Sequence, residues 1–174
     1  MRGQKALTIL ALAATTAILS GLPAHAANPC EAVFNALTKV VTTPSHSYTT
    51  ITSVNGNTTE AETIFANGQK YIRARGKWMR LPVTSQDVVE QEKEKEQQGK
   101  SACQVVKDES VNGESATVYS VHRDYGEVEE DGKLWISKKS GLLLRAEEDI
   151  DNRGNKVKEH RSTRFEYGNV QAPL

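Results

Sequence analysis

The side chains of this sequence that could do chemistry are few and dispersed. Beyond the first 26 residues there are three histidines, His46, His122 and His160. All three fall in segments of strand-like alternation, so they could share a metal ion only if their strands adjoin, and no two stand at the spacing of a preformed metal motif. We read them as ordinary sheet histidines. Serines abound, but none sits in a Gly-x-Ser-x-Gly elbow or beside an obvious base. The carboxylates Glu129, Glu130, Asp131, Glu147, Glu148, Asp149 and Asp151 could meet across one hairpin as a weak cation site. Solvated charge that discourages sheet-to-sheet aggregation accounts for them more simply. The sequence therefore assigns no catalytic residue, no metal ligand and no cofactor, and the chain reads as a protein that is not an enzyme.

Binding is better supported than reaction. Tyr48, Phe65, Tyr71, Trp78, Trp135 and Phe165 could line a hydrophobic groove, although packing of a sheet core explains each singly. Arg73 and Arg75, with Arg80 on the following strand, could meet an anionic head group. These six aromatic residues, with Arg73 and Arg75, are the candidate ligand-binding residues. Cys30 and Cys103 are the two cysteines, and no Cys-x-x-Cys exists to suggest redox work. An even pair in a small exported domain reads as a disulfide. Closing a loop of about 74 residues restricts the unfolded chain by roughly 4 kcal/mol in the chain-entropy account.

Export is written at the start of the chain. Arg2 and Lys5 precede an apolar run from Ala6 to Leu19, and Ala24-His25-Ala26 supplies small residues at cleavage spacing. That run is shorter than the ~20 residues a spanning helix needs. Cys30 follows Ala27-Asn28-Pro29, which does not suit lipidation, so no membrane anchor is expected. Residues 1–26 are thus read as a cleaved signal peptide and 27–174 as a single domain working in the periplasm. Loss of Arg2 and Lys5 tips a balanced charge slightly acidic, which argues against nucleic acid as a partner.

Asn28-Pro29 opens a helix in which Val33, Phe34, Leu37, Val40 and Val41 recur on one face. From Pro44 the texture becomes alternating and threonine-rich, with Asn-Gly turns at 55–56, 67–68 and 112–113. A four-strand meander is expected to end at Pro82, followed by a helix over 86–98 that is polar all round. Further strands are expected over 103–111, 115–123, 133–137, 142–150 and 157–167, with 127–132 as an acidic loop. The fold class is mainly β: a curled antiparallel sheet, or incomplete β-barrel, of about nine strands with an N-terminal helix and a mid-chain polar helix.

This order of elements resembles the lipoprotein localisation factor (LolA-like) superfamily. The phrases that carry the resemblance are Ile64-Phe65-Ala66-Asn67-Gly68-Gln69-Lys70-Tyr71-Ile72-Arg73, Gly76-Lys77-Trp78, Leu134-Trp135-Ile136-Ser137-Lys138-Lys139-Ser140-Gly141-Leu142-Leu143-Leu144-Arg145 and Arg164-Phe165-Glu166-Tyr167-Gly168-Asn169-Val170. It implies a half-barrel whose concave side, stoppered by helices, holds acyl chains or a peptide. No functional residue is transferred by it, because such a cavity is defined by shape and lining. The expected function is a periplasmic binding or carrier module for an amphiphilic ligand, with lipid, acyl chain or lipoprotein as partner. The alternative is an envelope protein-interaction or sensing module that binds another protein and no small ligand. In the carrier reading the helix bearing Phe34, Leu37 and Val41 plugs the sheet face that carries Trp78 and Trp135.

Overall fold

A computed structural model describes residues 28–174. The signal-peptide reading of residues 1–26 lies outside them. The chain runs α1 (Pro29–Thr42), β1 (Ser45–Ser53), β2 (Thr58–Ala66), β3 (Gln69–Ala74), β4 (Lys77–Thr84), α2 (Ser85–Gln98), β5 (Lys100–Val111), β6 (Glu114–Asp124), β7 (Val128–Ser137), β8 (Leu143–Asn152) and β9 (Val157–Tyr167).

All nine strands belong to one antiparallel sheet in the order β4-β3-β2-β1-β9-β8-β7-β6-β5. It is two meanders joined where β1 pairs with β9, Thr49 opposite Thr163. The edges are β4 and β5, and the chain between them is α2, so the sheet stays open and a helix spans its open side. The curled sheet with an N-terminal helix and a polar mid-chain helix is therefore the observed fold.

Local chemistry explains most boundaries. The Asn28 side chain accepts from the Cys30 N–H at 3.1 Å and Pro29 occupies the first turn, so α1 starts where its orphan donors are satisfied. Thr84 and Asp87 form a reciprocal capping box at the start of α2. At Asn67-Gly68 and Asn112-Gly113 both turn residues have positive φ, the twist a two-residue hairpin requires.

Two expectations are corrected. Pro82 does not end the fourth strand, because β4 continues to Thr84. As an edge strand, β4 can hold a residue without an N–H where no ladder bond is due. Residues 127–132 are not an acidic loop either, since β7 begins at Val128. Its acidic residues have partners on neighbouring strands: Glu130 meets Arg123 and Asp131 meets His122. Composition cannot display those pairings.

The core lies between α1 and one face of the sheet. Val33, Ala36 and Val40 pack with Phe65, Val121, Leu134, Ile136, Leu143 and Ala146, joined at the margin by Leu37, Val41, Val88, Tyr119 and Phe165. Cys30 and Cys103 form a disulfide with Cα atoms 5.1 Å apart, fastening the start of α1 to edge strand β5. Such a bond belongs to an oxidising compartment. The Ser45 hydroxyl donates to the Val40 carbonyl at 2.5 Å and ties the other end of α1 to β1. Among the described residues, no helix is long and apolar enough to cross a membrane.

Candidate functional site

Strand alternation divides the side chains between a helix-covered face and an outer face that neither α1 nor α2 covers. On the covered face the core runs out beneath α2, leaving a cleft of about 270 Å3. Leu37, Val40 and Val41 of α1, Val88 of α2 and Phe165 of β9 form its apolar wall. Opposite them stand charged side chains from four successive strands, Arg123, Glu130, Glu148 and Arg161.

Arg123 organises that wall. It is 6% exposed, and its Nη2 donates to Glu148 at 3.1 Å and forms an ion pair with Glu130 at 3.0 Å. Burial alone would lower its pKa, but the two facing carboxylates outweigh it and the net direction is up, so the guanidinium is charged. Burial pushes the Glu148 carboxyl above the ordinary glutamate range while Arg123 pulls it down. Gly132, between Val121 and Glu148 in the register, gives the cluster room. A Cβ there would come within 2.6 Å of the Glu147 carbonyl and 3.0 Å of the Glu148 side chain. Two atoms at this end, Arg123 Nε and the Tyr125 hydroxyl, are buried without a hydrogen-bond partner among the described residues. Burial raises the Tyr125 hydroxyl to about 12, so it stays protonated.

The roof over this end is α2. Lys95 pairs with Glu92 at 2.9 Å and stands over the Tyr125 ring at 5.8 Å, and the Ser101 hydroxyl donates to Glu96 at 3.0 Å. Only Val88 and Val89 anchor the helix by apolar contact. The cleft thus combines an apolar wall, a buried charge cluster and a polar roof, an arrangement that can receive a molecule with a greasy part and a polar part.

The candidate aromatic residues do not gather there. Phe65 and Phe165 are on the covered face, and Phe65 is buried in the core. Tyr48, Tyr71, Trp78 and Trp135 lie on the outer face with Arg73, while Arg75 is in the β3–β4 turn with φ 52°. Tyr71 packs with Ile64, Ala66 and Trp78 under Val170 and Ala172, and Trp135 packs with Ala116 and Val118. The helix plug and the two indoles are therefore on opposite sides of the sheet. Across the outer face the side chains form a cross-strand ladder. His46 stacks on Tyr48 at 4.0 Å and meets the Trp78 edge at 5.7 Å. Glu62 takes Arg73 at 2.6 Å and His46 Nε2 at 3.0 Å, and the Arg73 bond holds its carboxyl below the ordinary range. Arg164 covers Tyr48 at 3.6 Å and Arg145 covers Trp135 at 4.7 Å.

The three histidines separate. His160 stands opposite Thr52, six residues along β1 from His46, so the three-histidine site is not assembled. Sequence reasoning missed Arg123, Glu130, Glu148 and Arg161 as a group. One signal was available: Tyr119, Val121 and Arg123 alternate along β6, which puts an arginine at the end of an apolar stripe.

No family model and no curated protein matches this chain. Solved structures of similar fold include MucB in complex with MucA(peri), at 14% identity over 83% of this chain and 57% of that chain, TM-score 0.46. The chain thus spans little more than half of the MucB chain. LprF from Mycobacterium bovis is 11% identical over 83% of this chain and 95% of its own, TM-score 0.40. A LolA superfamily protein from Nitrosomonas europaea is 9% identical over 84% and 96%, TM-score 0.26.

Proposed function

We propose that the exported chain is a periplasmic, non-catalytic binding or carrier module for an amphiphilic ligand, a lipid or the acyl part of a lipoprotein, held in the cleft beneath α2. The observation that carries this reading is the juxtaposition of Leu37, Val41, Val88 and Phe165 with the buried Arg123–Glu130–Glu148 cluster. An apolar chain would lie on the first set and a polar head would face the second. At about 270 Å3 the cleft falls just below the usual ~300–1,000 Å3 of small-molecule pockets, so a long acyl chain requires α2 to ride outward. Its sparse apolar anchoring makes that displacement inexpensive.

The indoles are on the other face, so the test uses a fluorescent acyl probe rather than intrinsic emission. The probe should bind saturably and be displaced by phospholipid. Phe165→Ala should weaken binding roughly ten-fold, the loss of part of a filled apolar contact of about 1.5–3 kcal/mol, and Trp78→Ala should leave it unchanged. Absence of saturable binding by the folded protein would overturn the carrier reading.

A second reading has one observation of its own. Edge strand β5 carries Val105 at 58% and Val106 at 48% exposure, beside a register irregularity. An envelope protein adding a strand there would make the chain an interaction or sensing module. A repeatable co-purifying protein, with no acyl probe bound, would select it.

A further inference from the structure

The outer face holds a second arrangement that the carrier reading does not use. Four adjacent strands place His122, Asp131, Asp149 and His160 opposite one another in register. The row reads imidazole, carboxylate, carboxylate, imidazole. His122 Nδ1 meets Asp131 Oδ1 at 2.9 Å and His160 Nδ1 meets Asp149 Oδ1 at 2.8 Å. Asp131, Asp149 and His160 line two adjoining surface clefts, of about 460 Å3 and 290 Å3.

Charge balance singles out the centre of this row. Asp131 and Asp149 are directly opposed, and so are Glu129 and Asp151 one step along. Like charges facing one another across a sheet are unfavourable. Lys158 pairs with Asp151 at 2.6 Å, whereas Arg153 is held by Asp124 at 3.0 Å and stands farther from Glu129, at 3.6 Å. Asp131 and Asp149 have only imidazoles as ion-pair partners among the described residues. Neither carboxylate has a lysine or arginine within ion-pair distance among the described residues. The donor atoms of His122, Glu129 and Asp131 already lie within 4.8 Å of one another. Bonds of ~2.0–2.2 Å from one ion to nitrogen and oxygen ligands reach donors at that separation with small side-chain shifts.

We propose that His122, Glu129 and Asp131 bind a divalent transition-metal ion of the Zn(II) class, with Asp149 supplying a fourth oxygen and His160 holding Asp149 in place. The imidazole nitrogen selects such an ion over Mg2+ or Ca2+, which take oxygen donors. The site is on the solvent side of the sheet, so metal enters without any movement of α2. It is independent of the cleft and of what the cleft binds.

The exported protein, purified without a histidine tag and stripped with a chelator, is titrated calorimetrically with ZnCl2. One equivalent should bind. His122→Ala, at a half-buried position, and Asp131→Asn, at an exposed one, should each weaken binding at least ten-fold with circular dichroism unchanged. His46→Ala, on the same face but in the other meander, should bind as the parent does. Zinc should also shift the His122 imidazole resonances in NMR spectra, a readout that does not depend on the variants. The proposal is overturned if no stoichiometric binding occurs, if His122→Ala binds like the parent, if His46→Ala is weakened equally, or if Mg2+ competes at equal concentration.

Discussion

The two faces of the sheet use the same kinds of charged side chain under opposite conditions. Under the helices, Arg123 is almost wholly out of water and its two carboxylate partners are half-buried. On the outer face, Arg164 is 57% exposed where it covers Tyr48 and pairs with Glu166. The contact geometry is comparable, but the consequence of losing a partner differs. A buried carboxylate without its cation has nothing to replace it, whereas an exposed one is rehydrated and screened. The covered face thus has the energetic contrast that a ligand site needs. The outer face has ladders of cross-strand pairs, and around Asp131 and Asp149 carboxylates whose ion-pair partners among the described residues are imidazoles.

The largest expected effect tests whether the covered face exists independently of its staple. Replacing Cys30 and Cys103 together by Ala should lower unfolding free energy by about 4 kcal/mol, since the bridge joins residues 73 apart. Urea denaturation measures it, and a loss under ~1 kcal/mol would mean that core packing alone holds α1 on the sheet.

Next comes Arg123→Met, which leaves Glu130 and Glu148 facing each other and should cost about 3 kcal/mol near neutral pH. The pH dependence has a definite sign. Burial raises Glu148 above its ordinary value, so the folded state takes up a proton there more readily than the unfolded state does. A raised carboxylate favours the fold below its unfolded pKa, and that contribution is lost as pH rises through the folded one. Losing Arg123 strengthens the effect, so the variant should recover stability relative to the parent between pH 8 and pH 5 in parallel urea titrations. A deficit independent of pH would assign the loss to packing of the arginine stem instead.

The smallest effect is Arg164→Ala on the outer face, expected at under ~1 kcal/mol because cation–π and ion-pair contacts are weak where solvent competes. If thermal unfolding showed this variant to be as damaged as Arg123→Met, the distinction between the faces would fail.

Much of the frame was legible without coordinates. The Asn28-Pro29 start, the Asn-Gly hairpins and the β2 and β9 limits each rest on a local steric or capping rule, which neighbouring sequence satisfies by itself. The disulfide was legible because only two cysteines were available. The candidate binding residues were less so. Tyr48, Trp78 and Trp135 are large and aromatic, but side-chain type does not say which sheet face will be covered. That depends on where α1 docks, a contact between segments far apart in the chain.

The sequence by itself determined that residues 28–174 would form about nine strands, two helices and one staple, because turns, caps and hydrophobic period act within a few residues. Tertiary structure alone decided that Arg123 would be buried with Glu130 and Glu148, and that His122, Asp131, Asp149 and His160 would form one row. Both follow from antiparallel register, where a one-residue slip sends every side chain to the other face, and register is set by the whole sheet.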